Sequence, residues 1–211
     1  MERRTFLLQA VPGCSPSDSE LAELFDRVTG DPGFAAARDF SVWRAEDMIF
    51  GYYETDETAY PDRAGQVVRE AVLSALAGKA ILISSPGNMR LMFTSIWQPK
   101  ENKEGLFHRV FMTRLKPGCA TEYKDRHDGL VAQMDDSDIP AEGRESSNFT
   151  IWNAGDYICG YNEMEKPAVT DSDENAPWEI RMLEIMDWLT NDVDRISKEK
   201  HEAVRCVFMK L

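Results

Sequence analysis

"RTFLLQAVPGC" at Arg4–Cys14 and "RVFMTRLKPGC" at Arg109–Cys119 are two versions of one stretch, offset by 105 residues. Arg, Phe, Pro, Gly and Cys coincide between them. Each is an extended apolar segment that stops at Pro-Gly, a pair that ends a strand and starts a turn. Two such stretches in one chain make a duplication the first thing to test.

Working outward, "FSVWRAEDMIFGYYE" (Phe40–Glu54) matches "FTIWNAGDYICGYNE" (Phe149–Glu163), now offset by 109. "MRLMF" (Met89–Phe93) echoes "VRCVF" (Val204–Phe208) near the end of each copy. Three blocks in the same order make the chain two copies of one unit. In the first copy Ser17 and Glu20 have the spacing of a capping box, and Leu21, Leu24, Phe25 and Val28 follow at helical spacing. Two strands, Phe40–Trp43 and Met48–Glu54, then flank the turn "RAED", whose counterpart is "NAGD". A second helix is expected over Gln66–Leu76, and over about Pro177–Ile196 in the second copy, where Trp178, Met182, Ile185, Met186, Leu189, Val193 and Ile196 form an apolar stripe. A final strand, "MRLMF" or "VRCVF", is expected to close each unit.

That order, β-α-β-β-α-β, is the ferredoxin-like arrangement. The fold class expected is α+β: two tandem ferredoxin-like units whose sheets pack into an intramolecular α+β barrel, so that neither bare sheet face is left in water. The boundaries are residues 1–97 for a degenerate first repeat, 98–105 ("QPKENKEG") for a polar linker, and 106–211 for the second repeat.

Apolar residues make up 43% of the 211, enough for a packed core. A formal charge of −13, from 37 acidic and 24 basic residues, argues against a nucleic-acid partner, because phosphate backbones need clustered Lys and Arg. No apolar run approaches the ~20 residues that span a bilayer. The run Phe6–Val11 is interrupted by Gln9 and stopped by Pro12, too short for an export signal, so a cytoplasmic location with no membrane partner is expected. Cys14, Cys119, Cys159 and Cys206 are scattered without metal-binding spacing, and no metal, nucleotide or other cofactor is expected.

Candidate chemistry centres on "TEYKDRHDGL", Thr121–Leu130, where Tyr123 and His127 lie four apart on one helix face. In the first copy the aligned positions are Asp18 and Ala22, so this pair is not part of the shared framework. Imidazole carries protons near neutrality, and a phenol can hold a substrate oxygen. Glu163 is a candidate second proton carrier, although its twin Glu54 favours a salt bridge or surface exposure. His108 and His201 are expected at the surface, Cys119 in a structural role, and the acidic runs 135–138 and 171–175 in solvated loops.

The second copy resembles the L-rhamnose mutarotase family over most of residues 107–211, through "FHRVFMTRLKPGCATEYKDRH", "NFTIW" and "VFMKL". The resemblance implies interconversion of sugar anomers, with His127 as proton donor and Tyr123 touching the sugar. Phe149 stands where the family has a sugar-binding tyrosine. Ile185 and Met186 stand where it has two adjacent tryptophans lining the sugar site, and Val131 and Ala132 replace its Trp-Pro pair. Arg126 belongs to the motif but points to another helix face.

The expected activity is thus an isomerase, an aldose mutarotase acting on a deoxyhexose such as L-rhamnose, with a small-molecule sugar as partner. The rivals are a non-catalytic sugar-binding or sensing protein, and a cofactor-independent monooxygenase-like barrel acting on flat aromatic ligands. The chain is expected to be a monomeric pseudo-dimer or a homodimer, with the first copy supplying part of the pocket.

Overall fold

A computed structural model describes residues 1–58, 61–94, 102–133, 146–165, 177–190 and 202–211. The chain folds as two ferredoxin-like units, each an antiparallel five-stranded sheet with two helices.

The first sheet contains β1 (Glu2–Ala10), β2 (Ala37–Ala45), β3 (Met48–Thr55) and β4 (Ala80–Ser84), ordered β4-β1-β3-β2. Helices α1 (Asp18–Thr29) and α2 (Arg63–Ala75) connect them. The capping box is present: Ser17 Oγ accepts from the Glu20 amide, and the Glu20 carboxylate accepts from the Ser17 amide. Leu21, Leu24, Phe25 and Val28 of α1 are all buried, as their spacing requires. They join Phe6, Phe40 and Val68 in the core between helices and sheet. Burying each such side chain contributes about 1.5–3 kcal/mol.

The second sheet repeats this with β6 (Phe107–Leu115), β7 (Ser146–Ala154), β8 (Tyr157–Met164) and β9 (Met186–Leu189), and with α3 (Ala120–Gln133) and α4 (Pro177–Ile185). The duplicated residues keep duplicated jobs. Phe6 lies across from Gly51 and Phe111 across from Gly160. A Cβ on either glycine would come within 2.0 Å or 1.9 Å of the facing ring, so Phe and Gly recur as a pair. Trp43 Nε1 donates to Ser41 Oγ at 3.0 Å, and Trp152 Nε1 to Thr150 Oγ1 at 2.9 Å. At the β-turn between the middle strands, Glu46 takes φ 49° where its counterpart Gly155 takes 61°; only the glycine adopts that region without strain.

Three expectations are corrected. The second helix of the second copy ends at Ile185, not near 196: Met186–Leu189 form β9, paired with β6 through Leu115↔Met186 and Arg114↔Trp188. In "MDWL" Met186 and Trp188 flank the charged Asp187 and Leu189 follows, a run too short for its period to separate a strand from a helix stripe. The matching strand β4 was likewise not anticipated, and β4 and β9 are the strands that complete the βαββαβ order. Val193 and Ile196 lie outside the described residues.

The third correction concerns the closing strands. β5 (Arg90–Thr94), at the end of the first copy, pairs with β7 of the second; β10 (Arg205–Lys210), at the end of the second, pairs with β2 of the first. The compact units are therefore Met1–Met89 with Val204–Leu211, and Arg90–Ala203, rather than 1–97 and 106–211. An open sheet edge demands a partner strand, and "FSVW" and "FTIW" offer nearly the same edge, so either closing strand fits either sheet. Of the expected linker only residues 102–105 are described, and Lys103 among them is buried rather than solvated.

Candidate acid/base site

Helix α3 begins just after the turn at Pro117-Gly118, where Gly118 takes φ 82°. Glu122, in its first turn, holds Arg181 of α4 through two hydrogen bonds of 2.7 and 2.8 Å and Arg126 through one of 2.9 Å. The two guanidinium groups, Arg181 first, pull the Glu122 carboxyl down to about 2. Arg126 thus faces away from the pair of interest and ties down an acid, while Glu122 fixes α3 against α4.

That tie places Tyr123 and His127 over the sheet. Tyr123 is buried in the cluster formed by Leu115, Ile151, Ile158, Met182 and Ile185, with Phe111, Phe149 and Met186 packed at its margin. Burial pushes its phenol above the ordinary range. His127 is 5% exposed, its ring centroid 4.3 Å from that of Tyr123. Its Nδ1 lies 2.8 Å from the Tyr123 carbonyl oxygen. A carbonyl only accepts, so Nδ1 carries the hydrogen and Nε2 is the basic nitrogen. Desolvation lowers the imidazole below its ordinary value, against a smaller opposing pull from that hydrogen bond. The ring is neutral at pH 7, in one tautomer.

Phe93 of β5 completes the surroundings. Its ring meets that of His127 edge-on at 5.7 Å and packs on Phe149 at 5.5 Å; Phe149 in turn meets Phe111 at 6.4 Å. The structure therefore brings together Tyr123, His127, Phe149, Ile185 and Met186. Sequence reading missed Phe93, because it assigned that strand to the other unit.

Glu163 is not brought to this group. Along β8, Ile158 and Gly160 face the helices, so Cys159, Tyr161 and Glu163 face the opposite side of the sheet. Glu163 is fully buried, correcting the alternative of surface exposure, and it does form the salt bridge: Lys103 Nζ donates to Oε1 at 2.6 Å. Tyr161 Oη donates to the same oxygen at 2.9 Å, as Tyr52 does to Glu54 at 2.7 Å in the other unit. His108, expected at the surface, is half-buried with Nδ1 2.9 Å from Tyr161 Oη, and desolvation lowers it too. Glu163 and His127 thus lie on opposite faces and cannot act on one substrate atom together.

Cys119 is partly buried at the margin of the same cluster as Tyr123. His201 and the acidic runs 135–138 and 171–175 lie outside the described residues. Among the described residues no three or more His, Cys, Asp or Glu side chains gather as metal ligands, and no helix is long and apolar enough to cross a membrane.

The segment that carries Tyr123 and His127 lies within the part of the chain that resembles a known family. Residues 108–210 match the family model described as L-rhamnose mutarotase. No curated protein matches the chain. Solved structures of similar fold include an anthrone oxidase-like protein, at 9% identity and TM-score 0.47, covering 97% of this chain and 93% of that one. A monooxygenase-like protein from Listeria innocua shows 11% identity and TM-score 0.44, with coverage of 96% and 91%. A ferredoxin fold protein from Listeria monocytogenes, related to antibiotic biosynthesis monooxygenases, shows 8% identity and TM-score 0.44, with coverage of 97% and 92%.

Proposed function

We propose that the second repeat is an aldose mutarotase site, acting on a deoxyhexose such as L-rhamnose, with His127 as its proton carrier. The observation that carries this reading is the Nδ1–H···O=C hydrogen bond that fixes the His127 tautomer, in the segment that matches the mutarotase model.

Ring opening needs a proton taken from the anomeric hydroxyl and one given to the ring oxygen. Both oxygens are bonded to the same carbon, so one nitrogen can serve both. Nε2 accepts the anomeric proton as the C1=O bond forms and the bond from C1 to the ring oxygen breaks. The imidazolium then returns that proton to the ring oxygen. The Tyr123 carbonyl, accepting from Nδ1–H, favours the transient cation. Rotation about C1–C2 and the reverse steps give the other anomer, with no net change in protons. Such general acid/base assistance contributes ~10²–10⁴-fold. Tyr123, Phe149, Ile185 and Met186 form the proposed sugar-facing wall, and Glu163, on the other sheet face, takes no part.

The test is saturation-transfer NMR with L-rhamnose, L-fucose and other aldoses. Accelerated exchange for a deoxyhexose, abolished by His127→Ala, supports the reading; no acceleration with any sugar removes it. The ring of Phe93 against the imidazole, continued by those of Phe149 and Phe111, favours a second reading, a binding site for flat hydrophobic ligands. Thermal-shift measurements with aromatic compounds and sugars side by side separate the two.

A further inference from the structure

The exchange of closing strands has a consequence for His127. Phe93 and Phe208 are the same position of the two closing strands, and Phe149 and Phe40 the same position of the strands they pair with. Their ring contacts are nearly identical: 5.5 Å and 57° for Phe93 with Phe149, 5.8 Å and 58° for Phe208 with Phe40. That contact is the shared framework, present in both units whatever their chemistry. Phe93 makes one contact beyond it, edge-on to the imidazole at 5.7 Å and 67°. The first unit has no equivalent, because Ala22 stands where His127 does.

We infer that Phe93 is a positioning residue of the His127 site, a ring lent by the first copy's closing strand to pack against the second copy's imidazole and hold its tilt. Two neighbours hold the ring from different directions. Tyr123 packs against it from the preceding turn of the same helix, and Phe93 meets it from the sheet edge. With the tautomer already set by the Tyr123 carbonyl, the edge-on contact of Phe93 bears on the ring's orientation. Burial of the ring is the main cause that lowers His127 below its ordinary value, and Phe93 is one of the groups that bury it. The site is therefore composite in sequence: the proton carrier comes from one repeat and the residue that tunes it from the other.

This rests on the acid/base reading of His127, and the experiment separates the two. Phe93→Ala and the milder Phe93→Leu are compared with Phe208→Ala and Phe208→Leu, which remove the same framework contact from the other unit. The His127 imidazole is titrated by NMR, its signal assigned by loss in His127→Ala, and anomer exchange is measured across pH. With Phe93 replaced, the His127 midpoint is expected to rise toward the ordinary imidazole value, and turnover at saturating sugar to fall about tenfold with little change in KM. The Phe208 variants are expected to move neither. A His127 midpoint unchanged in the folded Phe93→Leu protein, or shifted equally by Phe208→Leu, overturns the inference. If the parent accelerates no sugar, the mutarotase reading fails, while the titration still decides whether Phe93 tunes His127.

Discussion

At the scale of the residue, His127 and His108 share a property that composition could not reveal: both are held neutral by burial. In each the folded-state value lies below the ordinary imidazole value of 6.5. In the window between the two values the unfolded chain takes up a proton that the folded chain refuses. Their contribution to stability is therefore full above pH 6.5 and is lost as pH falls through that value toward the lowered one. Denaturant unfolding across this window is expected to show stability falling with pH, less steeply in His127→Gln; an identical slope in that variant would count against a desolvated His127. The sequence made His127 legible because its repeat partner is Ala22, a contrast that needs no structure. It left Glu163 ambiguous, since its twin Glu54 is equally buried, and the cation that balances it, Lys103, sits in a stretch that reads as a polar linker. A charged side chain far along the chain gives no periodic signal of the carboxylate it will meet.

At the scale of the element, periodicity served where one face alone is buried. The stripe of α1 is of this kind, and so is the capping box at its start. It misleads at "MDWL", too short to separate the two periods, where the structure has the strand β9 in place of the expected helix. The Phe–Gly pairs across β1–β3 and β6–β8 show what repeats add: residues that recur together do so because they touch. Gly160→Ala would drive a methyl into the Phe111 ring, 1.9 Å from Cε1. Such overpacking is expected to cost about 1–3 kcal/mol. It should also disturb the Phe111–Phe149 contact, which is linked to His127 through Phe93, seen as a lower denaturation midpoint together with slower anomer exchange. A Gly160→Ala protein as stable as the parent would mean the ring moves freely, contrary to the packing described.

At the scale of the whole molecule, the duplication and the ferredoxin-like order were legible, but the exchange of β5 and β10 was not. Both sheets end on nearly the same edge, and sequence similarity cannot say which copy's strand occupies it. The exchange predicts how a fragment behaves. Residues 106–211 alone carry β10 without β2 and β7 without β5, so each chain has one strand to give and one edge to fill. Sedimentation should find such a fragment dimeric, with β10 of each chain on β7 of the other; a folded monomer would mean that β10 turns back onto its own sheet once β2 is removed.

The central claim is that one imidazole, in one of two duplicated units, moves the proton. The most direct measurement is the rate of L-rhamnose anomer exchange by saturation transfer, followed from neutral to acidic pH for the full chain and for His127→Ala. The account predicts acceleration by the full chain that fades as pH falls through the lowered His127 value, and none by the variant. Acceleration that survives in His127→Ala, or that is absent from the full chain at every pH, would contradict it.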